Sequence, residues 1–220
     1  FAEPVQAWRV IAPVAAESRF DATRRVGLTP LVGREHEIGL LLERWEQSKE
    51  GDGQVILLSG EAGIGKSRIT DALRERAVGD VLVQLRYQCS AYHRNSALHP
   101  VIEHLERALL FDSGDTSEIK LDKLEVLLTE RASDVGTVAA LFASLLSIPS
   151  KERYPLTEVS PELRKGQTLE ALVTQVEGLS HHYPVLIIFE DAHWADPTSL
   201  EFLELMVSRV QAVPVLVVIT

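Results

Sequence analysis

The chain has 220 residues, 45% of them hydrophobic and 25% charged, with a formal charge of -10 and one cysteine. Such a chain buries roughly 70% of its unfolded surface in one large or two small domains, which excludes intrinsic disorder and collagen-like structure. The acidic excess argues against a surface built for nucleic-acid phosphates. A lone Cys89 makes neither an internal disulfide nor a structural zinc site, and no apolar run approaches the ~20 residues of a membrane span. With no secretory signal either, the chain reads as cytoplasmic.

The chain starts at Phe1 and stops at Thr220 inside an apolar run, so it reads as a piece of a longer protein. Residues 1–11 are strand-like but include Pro4, and residues 12–25 read as a linker or a short helix. Ile38, Leu41, Leu42 and Trp45 follow the i, i+3, i+4, i+7 spacing of a one-sided helix over 34–48. Residues 55–59 form an apolar run suited to a strand buried on both faces. A Gly-rich turn and a helix over 66–78 follow, with Gly79 as its C-terminal cap and a second short strand at 81–85.

Residues 90–178 contain no strong strand. They offer helices near 100–110, 117–133, 137–147 and 161–177, with Pro100 and Pro161 as first-turn prolines, Ser160 as a cap and 147–160 as a loop. A third buried strand at 185–189 leads into a helix over 197–210 capped by Asp196, then a fourth strand at 215–220. Strands alternating with helices predict an α/β domain with a parallel sheet, and 90–178 reads as a large helical insertion or an extended helical layer.

The strongest signal is Gly60-Glu61-Ala62-Gly63-Ile64-Gly65-Lys66-Ser67, a full match to G-x-x-x-x-G-K-[ST] between a buried strand and an amphipathic helix. Gly60, Gly63 and Gly65 let the backbone turn tightly and come close to an anion. Successive N–H groups, through Arg68 at the start of the helix, then face the phosphates, aided by the helix's positive end. Lys66 supplies a point charge to the β- and γ-phosphates, and the Ser67 hydroxyl suits Mg²⁺. The apolar strand at 185–189 ends in Glu190-Asp191, at the edge of a parallel sheet where ligands bind. Carboxylates there hold Mg²⁺ and orient an attacking water. By position, Glu190 is the metal-side acid and Asp191 the water-side one.

These motifs, with Leu31-Val32-Gly33-Arg34-Glu35 upstream and His193-Trp194-Ala195-Asp196 after the acids, resemble the AAA-type/STAND signal-transduction ATPases over about 28–220. The resemblance implies a three-layer P-loop NTPase with the fourth strand between the first and third. It implies Val32, Gly33 and Arg34 near the adenine, His193 near the γ-phosphate, and Thr220 at or beside the polar sensor position. The usual order in P-loop ATPases is Asp then Glu. The reversed order here, with the shorter Asp191 on the water side, implies slow turnover suited to a switch.

Residues 1–10 resemble the closing strand of a class III nucleotide cyclase domain, so 1–27 reads as the end of a preceding domain plus linker and 28–220 as the ATPase domain. The fragment holds none of the cyclase's own metal or substrate residues. The expected ligands are ATP or ADP and Mg²⁺. The expected partners are other domains of the parent chain, with oligomerisation on ATP binding and no direct nucleic-acid or membrane contact. The alternatives are a nucleotide-bound scaffold, or the ATPase module of a STAND-type transcription regulator, without significant hydrolysis. A GTPase is disfavoured because the guanine-reading Asn-Lys-x-Asp string is absent, and nothing in a kinase calls for His-Trp after the acids. Of the remaining chemistry-bearing residues, Cys89 and Trp45 read as core, His181-His182 as surface, Arg164-Lys165 as a solvated helix face, and His93, Arg94 and Asn95 as a surface loop.

Overall fold

A computed structural model describes residues 31–77, 82–129 and 135–220. The predicted opening strand, the linker, Gly79, Val81 and the end of the predicted helix at Ser133 lie outside the described residues. The chain divides into two compact units, Phe1–Val32 and Gly33–Thr220, and every element below belongs to the second.

In chain order the elements are α1 (Glu35–Lys49), β1 (Gln54–Leu57), α2 (Lys66–Ala77), β2 (Val83–Gln88), α3 (His99–Ala108), α4 (Ser117–Thr129), α5 (Val135–Leu145), α6 (Pro161–Ser180), β3 (Val185–Glu190), α7 (Pro197–Arg209) and β4 (Val215–Ile219). Single 3-10 turns follow β2, β3 and α7. Two helix starts form as their sequences dictate. Ser160 accepts a hydrogen bond from Leu163 N at 3.2 Å, with Pro161 beginning the helix. Asp196 accepts from Thr198 N and Ser199 N, both at 3.0 Å.

All strands pair in parallel in the order β1-β4-β3-β2. The fourth strand thus lies between the first and the third, as the resemblance implied. Parallel strands send their C-terminal ends to one edge, so the loops after β1, β2, β3 and β4 all emerge together.

One sheet face, with Tyr87, Ile187, Phe189 and Val217, packs on a core that includes Leu124, Phe142, Leu172 and Phe202 from the helical layer. Of the predicted stripe on α1, Ile38, Leu41 and Trp45 are buried and Leu42 is half-buried, and the helix packs against α2, β1 and β4. Helices therefore cover both faces, giving the three layers of an α/β P-loop fold.

Two strand predictions are corrected. The first strand is not buried on both faces: Val55 is 40% exposed and Leu57 70%. Among the described residues β1 is an edge strand, paired to β4 alone, so alternate side chains lose cover. The second strand runs on through Gln88 rather than stopping at Leu85. An apolar-run reading ends where polar residues begin, but β2 alternates: Leu85 and Tyr87 enter the core while Gln84, Arg86 and Gln88 occupy the other face.

Candidate nucleotide site

The loop between β1 and α2 is held by its own backbone. Gly63 and Gly65 have φ of +81° and +102°, a region that side-chain-bearing residues rarely enter. Residues 59–64 are exposed, including Ile64. Ile64 N donates to Glu61 O at 3.3 Å, and Ile69 N to Gly65 O at 3.1 Å as the helix begins. Lys66 Nζ folds back over the loop, donating to Gly60 O at 2.9 Å and Glu61 O at 3.2 Å. Ser67 and Arg68 lie half-buried in the first turn, and Thr70 Oγ1 donates to Ser67 O at 2.9 Å.

Arg34, distant in sequence from this loop, also bears on it. Gly33 takes φ +74°, and its N–H donates to Glu35 Oε1 at 3.3 Å. That bend starts α1. Arg34 donates from Nη1 to Glu37 Oε1 at 2.6 Å and from Nη2 to Ile64 O at 3.3 Å. The guanidinium thereby ties the start of α1 to the middle of the loop. Val32 is exposed.

The second half of the site lies at the ends of β3 and β2. Glu190 is 3% exposed, and Arg86 Nη2 donates to both of its carboxylate oxygens at 3.0 Å. Burial pushes the Glu190 carboxyl above its ordinary range, Arg86 pulls it back, and Asp71 and Asp191 push it further up. Asp71 is itself buried on α2 and pairs with Arg74 at 3.1 Å. Asp191 takes the left-handed conformation, φ 54° and ψ 44°. Its N–H donates to Thr220 Oγ1 at 3.1 Å, and its Oδ2 accepts from Gln88 Nε2 at 3.2 Å. Thr220, at the end of β4, thus meets the turn that carries the acids.

His193 is exposed, its ring tilted against Trp194 with centroids 4.8 Å apart. Arg94, from the loop after β2, stands over the Trp194 ring at 5.1 Å. The remaining readings fall simply. Trp45 is core, and Cys89 is buried, its thiol pushed up to about 12 chiefly by that burial. His181 and His182 are exposed, and Lys165 pairs with Glu201 across α6 and α7.

Arg86, Gln88 and Asp71 are the residues that sequence reasoning passed over. For Arg86 and Gln88 the signal was the alternation Val83-Gln84-Leu85-Arg86-Tyr87-Gln88, which gives a strand with one polar face, whereas Asp71, on α2, had no such signal. An exposed Gly-rich loop with a lysine over it suits a phosphate chain. No group of three or more His, Cys, Asp or Glu stands ready to hold a metal among the described residues. Ser67 and the acids at the end of β3 are the oxygen donors that could hold a divalent cation, together with phosphate oxygens and water, the mixed set that Mg²⁺ accepts. Gln88 Oε1 is buried with no hydrogen-bond partner.

No helix among the described residues is long and apolar enough to cross a membrane. No solved structure matches the chain. An uncharacterized protein of Rhizobium meliloti (strain 1021) is 29% identical over all 220 residues, and the chain spans 21% of that relative's length. The family described as AAA ATPase domain matches residues 30–218, from the bend before α1 to the end of β4. The loop, the acid-ended strand and the strand between them fall inside that match, and the chain belongs to the AAA ATPase domain family as a nucleotide-binding ATPase module.

Proposed function

We propose that the chain binds Mg-ATP and hydrolyses it slowly, as a regulatory module of a multidomain signalling protein. The observation that carries this reading is the sheet order: the phosphate loop and the acid pair leave the same edge, one on each side of β4. Residues 60–68 would cradle the phosphates, with Lys66 on the β- and γ-phosphates. Ser67 and Glu190 would hold the cation, with Asp191 on the cation and water side. The cation supplies charge neutralisation at the phosphates when bound. The contact of Arg34 with Ile64 O supports placing Val32, Gly33 and Arg34 beside the base. His193 would read the γ-phosphate region.

Slow turnover is supported by the short reach of Asp191 and by its engagement with Gln88. Phosphate release should stay below the ~1 s⁻¹ of ordinary enzymes; a motor-like rate would overturn the hydrolysis reading. A cyclase-linked parent, with 1–27 closing the preceding domain and 28–220 forming the ATPase, is part of this proposal. The longer relative is consistent with a multidomain parent.

A second reading, a nucleotide-bound scaffold without hydrolysis, is favoured by one observation: both β3 acids are already engaged by side chains of β2. ATP binding with no phosphate release above background would select it. Binding of neither ATP nor ADP would sink both readings.

A further inference from the structure

β2 offers two different faces. Leu85 and Tyr87 belong to the core, while Gln84, Arg86 and Gln88 lie on the opposite face. That polar face is not simply solvated, since Arg86 is 5% exposed. In the β2–β3 register, Arg86 stands opposite Ile188 and Gln88 opposite Glu190. Arg86 therefore reaches the diagonal neighbour two residues on, a distance long side chains span across a sheet. Its Nη2 lies astride the carboxylate, 3.0 Å from each oxygen.

This placement matters because the neighbourhood is acidic. Asp71 from α2 and Asp191 from the turn both oppose ionisation of Glu190, and so does burial. A phosphate chain brought to Lys66 would add more negative charge to the same sheet edge. In an ordinary Mg-nucleotide site, the cation neutralises acids and phosphates together. Here a fixed guanidinium is in contact with one acid before any cation arrives.

We propose that Arg86 is a positioning residue that neutralises Glu190 from within the fold, so that the site accepts nucleotide without first requiring a divalent cation. This rests on the ATP-binding reading and adds a property to it. Without Arg86, an ionised Glu190 would face the phosphates uncompensated, and a cation or a proton would have to relieve the repulsion. One unit charge about 6 Å away, at an effective dielectric near 20, corresponds to about 100-fold in affinity.

The test is ATP affinity, by calorimetry at about pH 8, in Mg²⁺ and in EDTA, for the protein and three variants. The unmodified protein should lose less than about tenfold on exchange of Mg²⁺ for EDTA, and Arg86→Gln about 100-fold. Arg86→Lys keeps the charge and should restore the small ratio, which a purely structural role would not require. The double variant Arg86→Gln/Glu190→Gln removes both charges and should also restore it. That pair keeps the test alive if Arg86→Gln alone fails to fold. Equal Mg²⁺/EDTA ratios in the unmodified protein and Arg86→Gln would overturn the proposal. So would a double variant that still needs the cation. An unmodified protein that binds ATP in neither buffer would instead overturn the ATP-binding reading, and this inference with it.

Discussion

The phosphate loop and the acid end of β3 flank the same strand, yet they are built in opposite ways. Residues 59–64 are exposed, and the loop is shaped mostly by backbone, with positive φ at Gly63 and Gly65 and short-range hydrogen bonds, and by one distant side-chain contact from Arg34 to Ile64 O. Even Lys66 spends its charge on carbonyls five and six residues away. The acid end is buried and made of side chains. Glu190 and Arg86 are 104 residues apart in sequence, and Gln88 and Asp191 are 103 apart. A loop of the first kind can change its ligand without disturbing the core. A cluster of the second kind is part of the core, so a substitution there is felt by folding and by binding together.

The widest separation between the two should come from removing one charge at each. Glu190→Ala removes the carboxylate that Arg86 Nη2 contacts at both oxygens, breaking a buried ion pair, so it should cost about 3–5 kcal/mol of folding stability, read by urea denaturation. A loss below about 1 kcal/mol would mean that Arg86 reaches water in solution, and would close the gap between the two regions. Lys66→Ala should do the reverse. ATP affinity should fall by about 100-fold or more while the nucleotide-free unfolding midpoint barely moves, because only contacts to loop carbonyls are lost. Unchanged affinity would sink the assignment of the loop.

Backbone strain sharpens the contrast at a smaller scale. A Cβ on Gly65 meets nothing within 4 Å, so Gly65→Ala should cost only the ~1–2 kcal/mol of its left-handed conformation, with no packing loss. A larger loss in thermal unfolding would show that the loop is braced by contacts rather than by backbone alone.

The smallest effect concerns the loop after β2. His93 and His99 stack with ring centroids 3.6 Å apart, and burial first, then His93, holds the His99 imidazole below its ordinary pKa. Glu103, Glu106 and Asp196 oppose that shift. A lowered histidine favours the neutral ring. Its contribution is therefore present above about 6.5 and lost as pH falls through that value toward the lower folded pKa. Mild acidification should loosen the start of α3, seen as lower amide protection around His99 once the intrinsic pH dependence of exchange is divided out. His99→Gln should remove the dependence.

Much of the fold was legible because it is local. Ser160 and Asp196 cap the helices their sequence promised, since a cap needs only a side chain two or three residues from its N–H groups. Buried strands such as β3 announce themselves as apolar runs. β2 did so only in part, read as 81–85 rather than Val83–Gln88, because half of its residues serve a polar face that only a neighbouring helix and strand make sense of. β1 looked like a central strand for the same reason: an apolar run does not say which strands will flank it.

The sequence by itself determined the phosphate loop, the acid-ended strand, the helix caps and the alternation that makes an α/β sheet. Each is written in residues within one turn or one strand of each other, where backbone geometry and periodicity are enough. The tertiary structure alone decided that Arg86 grips Glu190, that Gln88 grips Asp191, that Arg34 reaches Ile64 and that Thr220 receives the Asp191 N–H. Those contacts join segments 29 to 104 residues apart. Pairings at such separation follow from strand order and register, which no local pattern encodes.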